Sequence, residues 1–189
     1  GDDGIHADNA LVINSGYIDI ADCYEGLEGL TVTVNDGTIS INASDDGINA
    51  AGGTDSSGFG GFGPDAFAAN SDANIYINGG TIYIDADGDG IDSNGNLYVS
   101  GGGIYVSGPE SSADGAIDYE GESSITGGVL VAAGASGMAQ NMGSDSTQGT
   151  ILVSFSTQAA GTTISLSDES GSVLVSWTSN KTYSSVVIS

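Results

Sequence analysis

Five short acidic segments carry the residues whose types and spacing could do chemistry. They are DDGIHA at 2–7, YEGLEG at 24–29, DDGINA at 45–50, GDGIDS at 88–93 and ADGAID at 113–118. The glycine after the acid stands at 4, 26, 47, 90 and 115, which gives spacings of 22, 21, 43 and 25. The 43 is one period plus an insertion of similar length. Clustered carboxylates are hard oxygen donors. They suit Ca2+, which accepts six to eight oxygens in flexible geometry, better than Mg2+ with its strict octahedron. Zn2+ would want nitrogen or sulfur, and His6 and Cys23 are the only residues of their kinds. Within DADGDGIDSNGN (85–96), Asp85, Asp87 and Asp89 fall at positions one, three and five of a calcium loop of the EF-hand type, with Gly90 at six. Position twelve, however, is Asn96 rather than a bidentate Glu, and Asp92 takes position eight, where an apolar residue is usual. We therefore read a partial shell of Asp87, Asp89 and Asp92, completed by Asp46 on one side or by Asp114 and Asp118 on the other.

Composition limits the partners. Against 25 Asp plus Glu there is one Lys, Lys181, and no Arg, for a formal charge of −24. Such a surface repels nucleic-acid phosphates and anionic membranes and invites cations. A hydrophobic content of 39% separates the chain from disordered acidic tails. Cys23 is alone, so no internal disulfide forms. No apolar stretch is long enough to cross a bilayer. The chain opens directly on an acidic segment and ends on SSVVIS, which we read as a trimmed product. A missing leader therefore does not argue for the cytoplasm.

The elements that must position these acids recur with them. After each acidic segment comes an alternating run: LVIN (11–14), VTVN (32–35), IYIN (75–78) or LYVS (97–100). A Gly turn follows, then a second run: GYIDI (16–20), GTISI (37–41), GTIYI (80–84), GGIYV (102–106) or GGVLV (127–131). Period-two alternation rich in Ile and Val predicts strands, and the short Gly, Asn and Ser connections leave no room for helices. A unit of about 22 residues cannot bury its apolar face alone, but stacked units can. The expected fold is an all-β solenoid, a parallel β-helix of about 21–22 residues per coil. Ile5, Ile13, Ile18 and Ile20 are expected to stack on Leu27, Val34, Ile39 and Ile41. Asn14, Asn35 and Asn78 recur before the Gly turn and are expected to form an amide ladder. The Gly- and Phe-rich segment 51–72 interrupts the third coil and is expected to project as a loop. From about 144 the repeat fades into alternating segments that suit an antiparallel β cap over the last coil. The chain thus divides into a solenoid, 1–143, and a cap, 144–189.

Stacking has an electrostatic consequence. Acids that recur in register lie near their counterparts, so Asp3, Glu25, Asp46, Asp89 and Asp114 should form one column. Asp2, Asp45 and Asp87 stand beside it, and Glu28, Asp92 and Asp118 emerge a few residues later. Two carboxylates about 5 Å apart repel by roughly 3 kcal/mol at an effective dielectric near 20. With one Lys in the chain, either raised pKa values or bound Ca2+ must relieve this. All eleven acids are candidate metal ligands. Tyr76 and Tyr98 sit between inward-facing apolar residues and so point outward, as do Tyr83 and Tyr105. Stacked exposed tyrosines suit sugar faces, although Tyr is also a good strand residue that stacks with itself.

The segments DDGINAAGG, GDGIDSNGNLYVSGG, DGAIDYEG, TGGVLVAAG and GMAQN with STQGTILV resemble a family of bacterial cell-surface proteins. These are the calcium-containing, right-handed parallel β-helix proteins described as carbohydrate-binding, which take cellulose and polygalacturonate. The resemblance runs through nearly the whole chain. It implies a right-handed solenoid, bound calcium, a cell-surface or extracellular location and a plant-cell-wall polysaccharide as partner. The family is similar in fold to polysaccharide lyases of family nine, whose calcium ligands are a double Asp before Gly and an Asp three residues after the second. Asp45 and Asp46 match that pattern, but Asn49 fills the later place. Asp89 and Asp92 match it, but Gly88 replaces the first acid. Asp2 and Asp3 are followed by His6.

Catalysis is not expected. A lyase needs a Lys or Arg base beside the metal, no coil contains one, and Lys181 lies in the cap, far along the sequence from the acidic column. A Ser-His-Asp triad would have to use His6. Carboxylate pairs for glycoside hydrolysis are so numerous that none stands out. The expected function is calcium-dependent, non-catalytic binding of a polysaccharide such as polygalacturonate or cellulose. Calcium would bridge the two sets of carboxylates when the glycan is anionic. The alternative is a structural surface protein that self-associates through its coil ends into a filament or layer.

Overall fold

Side chains alternate across a strand, so a run such as Val32-Thr-Val34 can bury one face only if a neighbouring run covers it. In the computed structural model, which describes residues 2–51 and 69–189, every regular element is a strand. Most of the Gly/Phe insertion, 52–68, lies outside the described residues. The first coil holds β1 (Ile5–Ile13) and β2 (Tyr17–Cys23), and the second holds β3 (Leu27–Val34) and β4 (Thr38–Ala43). The third has β5 (Ile48–Ala50), β6 (Asn74–Ile77) and β7 (Thr81–Ala86); the fourth has β8 (Ile91–Ser93), β9 (Asn96–Val99) and β10 (Gly103–Ser107). The fifth has β11 (Asp118–Tyr119), β12 (Ser123–Ile125) and β13 (Val129–Gly134). All pair in parallel with the next coil. β3 turns a corner: Leu27 and Glu28 pair with β5, whereas Thr31 to Val34 pair with β6. Each coil thus has three faces, and the chain is the expected parallel β-solenoid.

Inward side chains stack like on like. Ile5 pairs with Leu27, Ile13 with Val34, Ile18 with Ile39 and Ile20 with Ile41, as the repeat predicts. Leu27, Ile39, Ile48, Ile75, Ile82, Ile91 and Ile104 are fully buried. Each such side chain contributes roughly 1.5–3 kcal/mol by leaving water. The amide ladder is present. Asn35 Nδ2 donates to Asn14 Oδ1 and Asn78 Nδ2 to Asn35 Oδ1, both at 2.9 Å, and Ser100 Oγ donates to Asn78 Oδ1 at 2.9 Å. At the next turn, Gly37 has φ 119°, and a Cβ there would lie 2.8 Å from the Gly16 carbonyl oxygen. Only glycine meets both demands.

Beyond β13 the stack is closed by β14 (Ile151–Gln158), β15 (Thr163–Ser167), β16 (Val173–Thr178) and β17 (Tyr183–Ile188). β17 runs antiparallel to β13 and carries β14 on its other edge. On a second face, Thr147 N–H donates to the Ile125 carbonyl, and Met142 and Val187 join the end of the core. The β15–β16 hairpin packs Ile164, Leu166, Val175 and Trp177 against a cluster that includes Val131, Tyr183 and Val186, and Tyr105 packs on the same cluster.

Candidate metal corner and aromatic faces

The acids occupy two columns at one corner. In the first, the Gly4 N–H bonds to the Glu25 carbonyl, Gly26 to Asp46, Gly47 to Asp89 and Gly90 to Gly115. The residues in register are therefore Asp3, Glu25, Asp46, Asp89 and Gly115. Asp114, expected in this column, stands one place earlier. The cause is Ala116, inserted between Gly115 and Ile117. Ile117 is 1% exposed and points into the core as Ile91 does, so the acid slips back by one. The second column, on the outer side of the first face, runs His6, Glu28, Asn49, Asp92 and Asp118.

Part of the first column is structural. The carboxylate of Asp3 accepts the Glu25 N–H at 3.4 Å, that of Asp46 accepts the Asp89 N–H at 2.7 Å, and that of Asp89 accepts the Gly115 N–H. These acids cap the amides of the following coil. Gly88 belongs to the same arrangement, since a Cβ there would lie 2.6 Å from Asp46 Oδ1 and 2.7 Å from Asp45 Oδ1. The same Cβ would lie 2.9 Å from the Asp45 carbonyl carbon, so an acid at 88 would require both carboxylates and the backbone at Asp45 to shift.

Two groups of ligand atoms converge. One oxygen from each of Asp46, Asp89 and Asp92 lies within 4.8 Å of the others, a span that oxygen–Ca2+ bonds of 2.3–2.6 Å can bridge. Burial first, then the charges of Asp92 and Asp89, push Asp46 well above the carboxylate range. Burial and Asp89 push Asp92 up to about 8. Burial raises Asp89 to about 7 against the Gly115 N–H, with Asp118 and Asp114 adding to the rise. Asp118 is itself raised by burial, opposed by the Tyr119 N–H. The second group is Asp3, His6 and Glu28. Here the protein brings its own cation. His6 Nδ1 bonds to Glu28 Oε2, and Nε2 lies 3.1 Å from Asp8 Oδ1. Those two carboxylates raise its pKa to about 9, while His6 opposes the rise that burial imposes on Glu28.

Between the groups, in register, lie Glu25 and Asn49. Glu25 is 7% and Asn49 5% exposed, yet Glu25 Oε2 and Asn49 Oδ1 have no hydrogen-bond partner. A buried acceptor left unpaired costs about 1–3 kcal/mol, more when charged. Burial and the charge of Glu28 raise Glu25 to about 8, opposed by the Asn49 amide. Two orphaned oxygens beside a three-carboxylate cluster are the donor set that a hard divalent cation fits.

The remaining acids are placed otherwise. Asp2 is exposed and offers its carbonyl to the Tyr24 N–H. Asp45 hydrogen-bonds the Tyr24 phenol and helps push it up to about 12. Asp87 is drawn away by Lys181, whose Nζ donates to Asp87 Oδ1 at 2.6 Å and to the Ala86 carbonyl at 2.7 Å, and pairs with Asp85 Oδ1 at 2.9 Å. Lys181 thus reaches the acidic corner from the cap, contrary to its remoteness in sequence. The carboxylates of DADGDGIDSNGN accordingly split between Lys181 and the Asp46 cluster and do not form a single-loop shell.

The tyrosines pair as expected. Tyr76 and Tyr98 stack at 5.4 Å and 20°, and Tyr83 and Tyr105 at 5.3 Å and 17°. Sequence reasoning missed Trp177, which lies 6.1 Å from Tyr105 and tilted by 33°. Its one signal was alternation, since VLVSWT places Val175 and Trp177 on the same side of β16.

The class that the structure defines is a β-solenoid with aromatic outer faces and a carboxylate-lined corner. A family model described as carbohydrate-binding domain-containing protein matches residues 1–172, and the chain belongs to that family. No curated protein and no solved structure matches it.

Proposed function

We propose that this carbohydrate-binding protein is extracellular or cell-surface and non-catalytic, and that it binds an acidic plant-cell-wall polysaccharide such as polygalacturonate through Ca2+. The observation that carries the reading is the Asp46–Asp89–Asp92 cluster, its oxygens within 4.8 Å of one another, flanked by the unpaired Glu25 Oε2 and Asn49 Oδ1. These residues would hold the ion, which supplies positive charge where the chain has none to spare. The two cationic side chains nearby are engaged elsewhere, His6 with Glu28 and Lys181 with Asp85 and Asp87. The same pairings argue against proton abstraction. Burial works against the Lys181 charge, but Asp87 and Asp85 outweigh it and keep the ammonium protonated; His6 is likewise held protonated. Neither is a free base. A polyanion meeting a surface of −24 is repelled unless a cation lies between them.

Affinity electrophoresis through polygalacturonate tests this. Retardation is expected with Ca2+, reduced in Asp92→Asn and lost in excess chelator. Retardation that persists undiminished in chelator overturns the bridging reading.

A further inference from the structure

Among the described residues, the Tyr83–Tyr105 pair has a third ring, Trp177, and a cleft beside it. Trp177 is brought there by the β15–β16 hairpin, and nothing in the solenoid repeat requires an aromatic at that place. The three rings line a cleft of about 370 Å³ between the third face of the solenoid and the cap, in the lower part of the range for small-molecule sites. Asn42, Asp85 and Asn180 line the same cleft. Strand geometry fixes their relation to the rings. Asp85 follows Tyr83 by two residues and pairs with Asn42 across β7 and β4, so the polar row lies roughly 7 Å along the face from the Tyr83 ring. Tyr83 is 45% exposed. Rings that present a face beside a row of amide and carboxylate groups match a sugar, whose C–H face is apolar and whose rim is hydroxylated. The charge of the cleft decides which sugar. Asp85 is its acid; it pairs with Lys181 and accepts from the Asn180 amide, and among the described residues no cationic side chain lines the space. A hydroxyl can donate to these acceptors, whereas a uronate carboxylate would meet Asp85 with like charge.

We infer that this cleft is a second glycan subsite that takes a neutral sugar. The ring stacks on Tyr83, which Tyr105 backs on its other face, Trp177 forms the side wall, and the hydroxyls bond to Asn42, Asp85 and Asn180. The inference rests on the carbohydrate binding of the family and not on calcium. The outer wall of the site, Trp177 and Asn180, lies beyond residues 1–172, the part matched by the family model. Trp177 is the single tryptophan of the chain, so its emission reports on the cleft directly. The test titrates the whole chain, in excess chelator, with neutral hexasaccharides (β-1,4-linked glucose, xylose, mannose and galactose) and, separately, with trigalacturonate. At least one neutral ligand is expected to change the emission saturably, and trigalacturonate to leave it unchanged. Tyr83→Ala, which removes a half-exposed ring, is expected to weaken the neutral ligand tenfold or more with an unchanged melting temperature, and Tyr76→Ala to have no effect. No response to any neutral ligand overturns the inference, as does a response that survives Tyr83→Ala or that appears only with calcium. Failure of the calcium bridge would show instead as polygalacturonate retardation that resists chelation, with this titration intact.

Discussion

Raising the pH of the metal-free protein is expected to destabilise it, and calcium is expected to reverse the loss. Asp89 is held at about 7, and Asp92 and Glu25 at about 8, chiefly by burial. In the unfolded chain these groups titrate near 3.9 for Asp and 4.3 for Glu. Folded pKa values above unfolded ones mean that the fold retains protons the unfolded chain has already lost. The associated stability is complete below about pH 4 and is lost as pH rises through about 7 to 8. Each retained proton costs about 1.4 kcal/mol per pH unit. Asp92 and Glu25 together would give about 5 kcal/mol between pH 5 and 7. Residual solvent screening and the sharing of one charge environment reduce this to on the order of 3 kcal/mol. For a chain of this size that is a fall of about 6–12 °C in melting temperature. The His6 pair adds a loss in the same direction, because His6 is raised from 6.5 to about 9. Its share falls above about pH 6.5, so the interval from pH 5 to 6.5 isolates the carboxylates. Calcium at a hundred times its dissociation constant is expected to restore about 2.7 kcal/mol at pH 7. Thermal melts by circular dichroism at half-unit steps from pH 5 to 8, with chelator and with calcium, measure both effects. A melting temperature flat across that range in chelator would show that the acids are already ionised and solvated. A pH-dependent loss that calcium leaves unchanged would refute the cation site while keeping the burial argument.

Two substitutions probe what holds the corner in place. In Gly47→Ala the new Cβ would lie 2.5 Å from the Gly90 carbonyl oxygen and against Ile84 Cγ2, neither of which is a flexible side-chain end. A loss of about 3 kcal/mol, or roughly 10 °C, is expected in a thermal melt, and a shift under 2 °C would contradict so close a stack. Lys181→Met removes the cation shared by Asp85, Asp87 and the Ala86 carbonyl. It is expected to cost about 1–3 kcal/mol by chemical denaturation and to shift Trp177 emission to the red as the end of the hairpin loosens; unchanged emission would show that the hairpin is held by its apolar contacts alone.

The solenoid was legible because its signal is local and repeated. Period-two alternation marks which side chains face inward, and a Gly before each second run marks the turn, so Ile5, Ile18 and Ile20 could be assigned partners without a structure. The fifth coil slipped because the alignment followed the acid–glycine pair, whereas the fold follows the buried isoleucine. At Ile117 the two disagree by one residue, and burial decides. Lys181 and Trp177 carried no comparable signal, since their partners Asp87 and Tyr105 lie 94 and 72 residues away in sequence across a cap that does not repeat. The recurrent acid has a second role. Asp3, Asp46 and Asp89 each satisfy an amide of the following coil, a role that needs no ion. What distinguishes the third and fourth coils is an addition to that cap. Asp92 stands outward beside Asp89 and Asp46, and Glu25, with one more methylene than Asp, leaves an oxygen buried and unpaired. The converging oxygens at this corner are therefore set by departures from the repeat rather than by the repeat, and the aromatic cleft likewise depends on Trp177, which no coil supplies.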